Sequence, residues 1–474
     1  MNLGHALRWS LFGELATKLV QPLVFIILAR LLAPTDFGVM AAALMVIGLS
    51  QVLWDAGMAK ALIQRQGPIQ PAANVAFWTN LALGTGVAAL LVPSAAPIAR
   101  EIFDDLRVGP VLQVMALHVL LGAFFSVHTA LLQKQMRFQQ LFWIRFASVV
   151  LQSLASLPLA FSGTGYWSLV AGSLTGQMVQ AVLLWKLSGW RPTFNFDSAV
   201  AREMARFAGW VAASGLLLWA FLWLDSLIVA FYLGSHQLGL YNTASQLTAM
   251  VFAMLFAPVA PVLYSHLSRM GEDRNRIAAA ATIVIRATVM VAVPTGVVLA
   301  SIAAPLSDAL FGPRWEGIAF VIGVLAVGQA LSWIVGMNGE FFRALGKPSR
   351  ETMINALALP LYLAGYLVAI RHGFETFVWT RLALTVCGVA IHLAVLHFVL
   401  RLEVGKILGF LLRVAALSGS IALGCLWLLP DALHSPMARA AAVGVASIAV
   451  IGGVLLWTQR HFVRDLLTIA RAQP

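Results

Sequence analysis

The chain has 474 residues, of which 60% are hydrophobic and only 11% are charged. A soluble domain has about 45–50% apolar and about 25% charged residues, so this composition excludes a water-soluble fold and predicts a membrane protein. The net charge of +12 would also suit a nucleic-acid-binding protein. Its basic residues, however, recur in alternate polar breaks between apolar stretches, which is the pattern of the positive-inside rule and predicts no nucleic-acid partner.

Apolar stretches of about 20 residues, the length needed to cross a bilayer, recur along the whole chain. Because every backbone polar group in lipid must be paired within its own helix, the sequence predicts an all-α integral membrane protein with about 14 transmembrane helices. The basic breaks place both termini in the cytoplasm. The spans are predicted to begin near residues 7, 36, 74, 108, 138, 165, 207, 238, 280, 317, 352, 376, 407 and 437.

The longest polar break, residues 188–206, divides six spans from eight. Its second part, from Asp197 to Arg206, predicts a capped amphipathic helix at the cytoplasmic surface. We therefore expect an N-terminal lobe over residues 1–187, a cytoplasmic linker over 188–206 and a C-terminal lobe over 207–400. Residues 401–474 are predicted to form two accessory spans and a cytoplasmic tail.

The two halves carry a repeated segment. RLLAPTDFGVMAAA, residues 30–43, aligns with FYLGSHQLGLYNTA, residues 231–244, at a constant offset of 201, so that Gly38 falls on Gly239. Similar order and spacing favour a duplicated, two-lobed transporter. The alternative is a chance match of glycines that recur at helix ends.

Four segments, residues 28–65, 224–247, 258–267 and 294–315, resemble the multidrug/oligosaccharidyl-lipid/polysaccharide superfamily, especially its Wzx-type polysaccharide flippases. The resemblance covers nearly the whole chain, with one departure: Ala230 and Phe231 stand where the family often has a Gly-Arg pair. It implies two pseudo-symmetric six-helix bundles around a central cavity, plus the two accessory helices. The cavity would open alternately to each side of the bacterial inner membrane.

The same resemblance implies the cargo and the partners. The cargo would be an oligosaccharide repeat unit on a polyprenyl diphosphate, moved from the cytoplasmic to the periplasmic leaflet for O-antigen, exopolysaccharide or capsule synthesis. Membrane lipids would surround the protein, and a polysaccharide polymerase and export machinery are candidate partners. The resemblance implies no cofactor, and the sequence shows no metal-ligand spacing.

Charged side chains inside spans are costly and mark candidate sites. Glu14 and Lys18 lie four residues apart on one face of the first span. Lys18 would attract a diphosphate, while Glu14 would hold Lys18 charged or titrate with a coupled proton. The structural alternative is a simple ion pair.

Three arginines that lie one or two turns inside spans are further candidates for a diphosphate clamp: Arg145, Arg286 and Arg381. The alternative for each is snorkelling of the long side chain to the interface. Asp225 is the acid well inside the seventh span. It would balance a cavity arginine, bind a sugar hydroxyl or couple an ion, and the alternative is a packing role.

Polar residues near span ends and within spans complete the candidates. Asp55 and Glu340 are predicted gate residues, with solvated helix ends as the alternative. Weaker candidates for sugar contacts, which helix-to-helix hydrogen bonding would explain equally well, are Asn242, Gln246, Gln329 and Asn338.

Three other functions compete with the polysaccharide flippase. A drug/cation antiporter of the same superfamily is expected to have an acid-dominated cavity, whereas basic residues outnumber acids within these spans. A peptidoglycan-precursor lipid flippase is compatible with the charges. A membrane glycosyltransferase or polymerase is disfavoured, because every periplasmic loop is predicted to be under about 20 residues and no catalytic motif is present.

Overall fold

The computed structural model describes residues 20–256, 274–345, 349–428 and 435–460. The regular elements in these ranges are all helices, which confirms the predicted all-α class. Spatial contacts divide them into two compact units, with the boundary between Thr243 and Ala244.

The helices of the first unit, the last of which continues into the second, are α1 (Val20–Leu31), α2 (Pro34–Asp55), α3 (Met58–Gln64), α4 (Ile69–Glu101), α5 (Val108–Lys134), α6 (Phe138–Phe161), α7 (Tyr166–Leu187) and α8 (Ser198–Phe256). The described helices of the second unit are α9 (Arg274–Ser301), α10 (Ala303–Leu310), α11 (Ile318–Gly336), α12 (Asn338–Ala344), α13 (Ser349–Ala369), α14 (Phe374–Leu400), α15 (Val404–Leu428) and α16 (Pro436–Thr458).

Twelve of the described helices are long and apolar enough to cross a membrane. One of them, α8, has 59 residues and would be about 88 Å long at 1.5 Å per residue, far more than the bilayer core of about 30 Å. It is interrupted at Gly234, where φ is 77° and ψ is −176°, and so contains two limbs, residues 198–233 and 235–256. Counting α8 as two spans gives 13 in the described ranges, close to the predicted number of about 14.

The first limb of α8 begins inside the predicted linker. The Asp197 carboxylate accepts hydrogen bonds from the backbone N–H groups of Ala199 (2.9 Å) and Val200 (3.2 Å), which caps the helix at its first turn. The helix then continues through Arg206 into the seventh span without a break. The amphipathic segment is therefore the first part of the span helix and not a separate surface element.

The rest of the linker is attached to α4 by a row of side chains spaced four residues apart, which places them on one helix face. Gln70 accepts a hydrogen bond from the indole N–H of Trp190 (2.8 Å). Asn74 both donates to the Thr193 hydroxyl (2.6 Å) and accepts from its backbone N–H (3.1 Å). The indole N–H of Trp78 donates to the Thr193 carbonyl (2.9 Å). Residues 188–194 therefore have a fixed path across the first unit.

At the opposite end of the first unit, α2 and the second limb of α8 cross at two glycines. A Cβ atom on Gly38 would lie 2.7 Å from the carbonyl carbon of Ser235, and one on Gly239 would lie 2.6 Å from that of Pro34. Both are closer than side-chain carbons approach other atoms, so the crossing requires glycine on each helix. Pro34 and Ser235, like the two glycines, are 201 residues apart, so the two contacts are reciprocal.

Hydrogen bonds join the loops at this same end. The Asp105 carboxylate, between α4 and α5, accepts from the guanidinium of Arg107 (2.7 and 2.9 Å) and from the hydroxyl of Ser235 (2.6 Å). The Asp36 carboxylate of α2 accepts from the backbone N–H of Tyr166 at the start of α7 (3.1 Å). Four helices are thus linked around the glycine crossing.

In the second unit, the core is formed mainly by α9, which packs against α11 and α15. Buried aromatic side chains fill the space between them, including Phe252, Phe341 and Phe410. The last two helices, α15 and α16, pack on α9 and α10. The predicted accessory spans are therefore part of the second compact unit.

Candidate functional site

A cavity of about 480 Å³ lies inside the first unit, between α2, α3, α5 and α7. Its size is within the range of about 300–1,000 Å³ that is typical of small-molecule sites. Nine of its 17 lining residues have polar or charged side chains: Gln51, Asp55, Lys60, His118, Ser126, Thr129, Gln133, Gln177 and Gln180. We call this space the unit-1 cavity.

The longest wall of the unit-1 cavity is one face of α5. The wall residues recur every three or four positions, which puts them on one side of a helix: His118, Gly122, Ser126, Thr129 and Gln133. The stripe runs for 15 residues, or about 22 Å, from the middle of the span to the end that bears Lys134. The polar groups therefore extend from the middle of the span to that end of the helix.

Gly122 and Trp54 form the apolar part of the wall together. A Cβ atom on Gly122 would lie 2.9 Å from Cζ2 of the Trp54 indole, so only glycine lets the indole lie this close to α5. Trp54 is 4% exposed. Phe125 and Ile47 add further apolar surface.

Four of the nine polar side chains that line the cavity form hydrogen bonds within the described part of the protein. The Gln177 amide donates to Nδ1 of His118 at 3.2 Å. This contact pairs the side chains of α5 and α7 across the cavity. Ser126 accepts a hydrogen bond from Asn80 at 2.9 Å. The Asp55 carboxylate accepts from backbone N–H groups at the start of α3.

The described residues that line the unit-1 cavity carry no net formal charge. Its charged lining residues are one acid, Asp55, and one base, Lys60, which interact with each other. Four of the remaining polar lining residues are glutamines, each with a donor and an acceptor. The cavity therefore suits a neutral ligand that is rich in hydrogen-bonding groups.

The sequence-predicted site residues of the first unit are not all brought together. Glu14 and Lys18 lie outside the described residues. Asp55 lines the unit-1 cavity, whereas Arg145 is exposed on α6 and is not part of the lining. Asp225 is 5% exposed and accepts a hydrogen bond from the Tyr241 hydroxyl at 2.7 Å.

The bond between Asp225 and Tyr241 joins the two limbs of α8, because Asp225 lies before the break at Gly234 and Tyr241 lies after it. A second oxygen of Asp225 accepts from the backbone N–H of Ser226 at 2.6 Å. Asn242 is the next residue on the second limb and is also buried.

In the second unit, Arg381 and Gln329 line one small cavity of about 20 Å³, together with the hydroxyl-bearing residues Ser245 and Thr248. A space of this size holds about one water molecule. Gln246, on the turn between these two residues, is exposed. The structure thus brings one predicted arginine next to one predicted sugar contact.

The remaining candidates of the second unit lie apart from that cavity. The guanidinium of Arg286 lies 4.8 Å from the centre of the Phe410 ring, so Arg286 faces the accessory helix α15. Glu340 forms an ion pair with Arg343 at 2.5 Å on its own helix. Asn338 is 1% exposed, and its side-chain atoms bond to none of the described residues.

Most residues that line the unit-1 cavity are not among the residues predicted from the sequence. They include His118 and the four glutamines of the cavity. A signal was present, because glutamine at spacings of three or four residues is unusual in an apolar span. Gln177 and Gln180 have that spacing on α7. Such residues form a common site only if their helices face one another. The residue pattern within one span does not show which other helix it faces.

Residues 27–320 match the model of a family described as "Polysaccharide biosynthesis protein". This range is more than half of the chain. The chain belongs to that family.

Three family relatives illustrate the similarity. The chain is 26% identical over 323 residues to the succinoglycan biosynthesis transport protein ExoT of Rhizobium meliloti, an alignment that covers 68% of this chain and 65% of that protein, or just under two thirds of its length. It is 22% identical to the teichuronic acid biosynthesis protein TuaB of Bacillus subtilis, covering 88% and 87% of the two chains. It is also 22% identical to the lipopolysaccharide biosynthesis protein WzxC of Escherichia coli, covering 76% and 74%.

Solved structures confirm the fold. The lipid II flippase MurJ in an inward closed conformation superposes with a TM-score of 0.78 at 11% identity, covering 97% of this chain and 99% of that one. A multidrug resistance MATE family transporter of the MOP superfamily gives a TM-score of 0.61 at 14% identity, covering 81% and 96%. Together with the family match, these findings confirm the resemblance to polysaccharide flippases of this superfamily.

Proposed function

We propose that this protein moves polyprenyl-diphosphate-linked oligosaccharide repeat units from the cytoplasmic to the periplasmic leaflet by alternating access, for synthesis of a surface polysaccharide. The observation that carries the proposal is the unit-1 cavity, a polar space of about 480 Å³ within a multi-pass membrane protein. Polar groups inside a membrane are costly unless they serve transport or pair with each other. Membership in a polysaccharide biosynthesis family gives the chemical class of the cargo.

The proposed orientation follows the charges. The end of the unit-1 cavity near Lys60 is also the end with Arg65 and Lys134, where Lys134 donates to the carbonyls of Leu62 (2.8 Å) and Arg65 (2.5 Å). Basic loops favour the cytoplasm, so this end would load cargo there. The same rule supports an inner-membrane location with both termini in the cytoplasm.

We propose that basic residues bind the diphosphate of the cargo. Lys18 remains the first candidate, with Glu14 as its partner. Arg381, which lines a small cavity with amide and hydroxyl groups, is the second candidate. Movement of an N-terminal lobe, residues 1–187, against a C-terminal lobe, residues 207–400, would expose the site alternately. A polysaccharide polymerase and export machinery would receive the product.

The test is deletion of the gene in its host, followed by complementation with the wild type. We expect deletion to abolish the surface polysaccharide and to cause accumulation of the diphosphate-linked oligosaccharide on the cytoplasmic side, and we expect the wild type to reverse both. Unchanged polysaccharide with no accumulated intermediate would refute the proposal. If the peptidoglycan precursor accumulated instead, the protein would be a flippase for that lipid, and if drug efflux alone were lost, it would be an antiporter.

Complementation with Lys18→Ala tests the role of the cationic residue separately from the identity of the cargo. Loss of rescue at wild-type expression level would support the role of Lys18. Full rescue would leave the flippase intact and would contradict that role.

A further inference from the structure

The unit-1 cavity contains hydrogen-bonding capacity that the described protein does not use. The side-chain amides of Gln51, Gln133 and Gln180 make no hydrogen bond with any described residue. The hydroxyl oxygen of Thr129 is buried and likewise bonds to none of them. These groups lie on three helices around the unit-1 cavity. An unused buried polar group such as the Thr129 hydroxyl normally costs about 1–3 kcal/mol, and the three glutamine amides that face the same space point to a ligand with hydrogen-bonding groups.

The amide and hydroxyl groups that make no bond within the described protein are suited to hydrogen bonds with the hydroxyl groups of a sugar. A primary amide offers both a donor and an acceptor, and a hydroxyl group also does both. The bond between Gln177 and His118 uses Nδ1 of the imidazole and one atom of the amide, so the second ring nitrogen and the second amide atom can bond to a ligand. The Trp54 indole and the Phe125 ring provide apolar surface beside these groups, against which the C–H face of a pyranose ring can pack.

The charges of the unit-1 cavity disfavour a phosphate or an acidic sugar. Lys60 is its basic lining residue, and Asp55 offsets that charge. A second anion would face the Asp55 carboxylate inside a protein cavity, where like charges repel more strongly than in bulk water. A neutral ligand meets no such repulsion.

We propose that the unit-1 cavity binds uncharged sugar residues of the cargo through Gln177, Gln180 and His118, while the diphosphate is held outside it. This inference rests on the proposed function. It predicts that recognition of the sugar and recognition of the lipid diphosphate depend on different side chains. Gln177 and Gln180 are then determinants of sugar specificity.

The test compares two probes with the purified full chain in lipid nanodiscs: the lipid-linked oligosaccharide extracted from the deletion strain, and polyprenyl diphosphate without sugar. Affinities are measured for the wild type, Gln177→Leu and Gln180→Leu. Leucine removes the amide and keeps a similar size. The matched control is Gln113→Leu, because Gln113 is an exposed residue of α5 that does not line the cavity.

We expect each cavity substitution to weaken binding of the oligosaccharide lipid about fivefold, the effect of losing one neutral hydrogen bond. Binding of polyprenyl diphosphate should not change, and Gln113→Leu should match the wild type for both probes. Size-exclusion chromatography and thermal unfolding of each variant establish that it is folded. A variant that unfolds is replaced by Gln177→Asn or Gln180→Asn, for which the same loss is expected because the shorter amide no longer reaches the sugar.

Two outcomes would overturn the inference while leaving the proposed function in place. One is wild-type affinity of both cavity variants for the oligosaccharide lipid. The other is equal weakening of both probes, which would mean that the cavity holds the diphosphate. If the wild type bound neither probe, the proposed function itself would fail and the inference with it.

Discussion

The glycine crossing between α2 and the second limb of α8 predicts a specific sensitivity to one methyl group. In Gly38→Ala, the new Cβ would lie 2.7 Å from the carbonyl carbon and 3.0 Å from the Cα of Ser235. The Cβ would also overlap the carbonyl oxygen of Ser235. Because carbon atoms pack at about 3.5–4.0 Å, the two helices must separate by more than about 1 Å. Overpacking of this kind costs about 1–3 kcal/mol.

The assay is thermal unfolding of the purified protein in detergent, followed by intrinsic fluorescence. We expect Gly38→Ala to lower the apparent Tm. The matched control is Gly86→Ala, also within a long helix, where a Cβ meets nothing within 4 Å. Because alanine is the better helix former, Gly86→Ala should be neutral or slightly stabilising. Equal Tm values for the two variants would refute the reasoning.

The reciprocal substitution provides a second check. Gly239→Ala should also lower the Tm, since its Cβ would lie 2.6 Å from the carbonyl carbon of Pro34. The double variant should lose less than the two single losses together, because one separation of the helices relieves both contacts. Full additivity would mean that the glycines act independently.

The other predictions concern two carboxylates, the half-buried Asp105 and the buried Asp225. Ser235→Ala removes the 2.6 Å hydrogen bond to Asp105 and should cost about 1–2 kcal/mol, measured as a lower Tm. Burial raises the pKa of Asp105, but the hydrogen bonds from Arg107 and Ser235 outweigh it and hold the pKa below its ordinary 3.8. The ionised Asp105 therefore stabilises the fold, and the Tm of the wild type should exceed that of Asp105→Asn by its full amount above pH 3.8. Below that pH the carboxylate becomes protonated and the Tm difference should shrink. A difference that grows on acidification would contradict this. Tyr241→Phe removes the 2.7 Å bond to Asp225 between the limbs of α8 and should cost about 1.5–3 kcal/mol, whereas an unchanged Tm would show that the limbs are held by packing alone.

The spans were predictable because the information is local. A run of about 20 apolar residues has few alternatives to a membrane helix, and the breaks between runs lie where the structure has loops. The boundaries were less predictable. The eighth helix contains two predicted spans and half of the predicted linker, because Asp197 caps a helix that nothing stops before Gly234.

The candidate site was only partly predictable, for a physical reason. Charged residues stand out in an apolar sequence, so Asp55, which lines the unit-1 cavity, was among the predicted residues. Glutamines do not stand out, because a membrane helix also uses them to bond its neighbours. Gln177 becomes a site residue only through its bond to His118, which is 59 positions earlier in the chain.

The reciprocal contact of Gly38 with Ser235 and of Gly239 with Pro34 has the symmetry of an isologous dimer interface, in which each contact occurs twice. In a homodimer, one mutation changes both copies of such a contact at once. Here both copies lie in one polypeptide, 201 residues apart, and each can change alone. The residues that face the two glycines differ, and the Ser235 hydroxyl bonds Asp105, whereas glycine is required on both helices because the two backbones meet there. One side of the symmetric contact therefore makes a hydrogen bond that the Pro34 side chain cannot make, because it has no polar group.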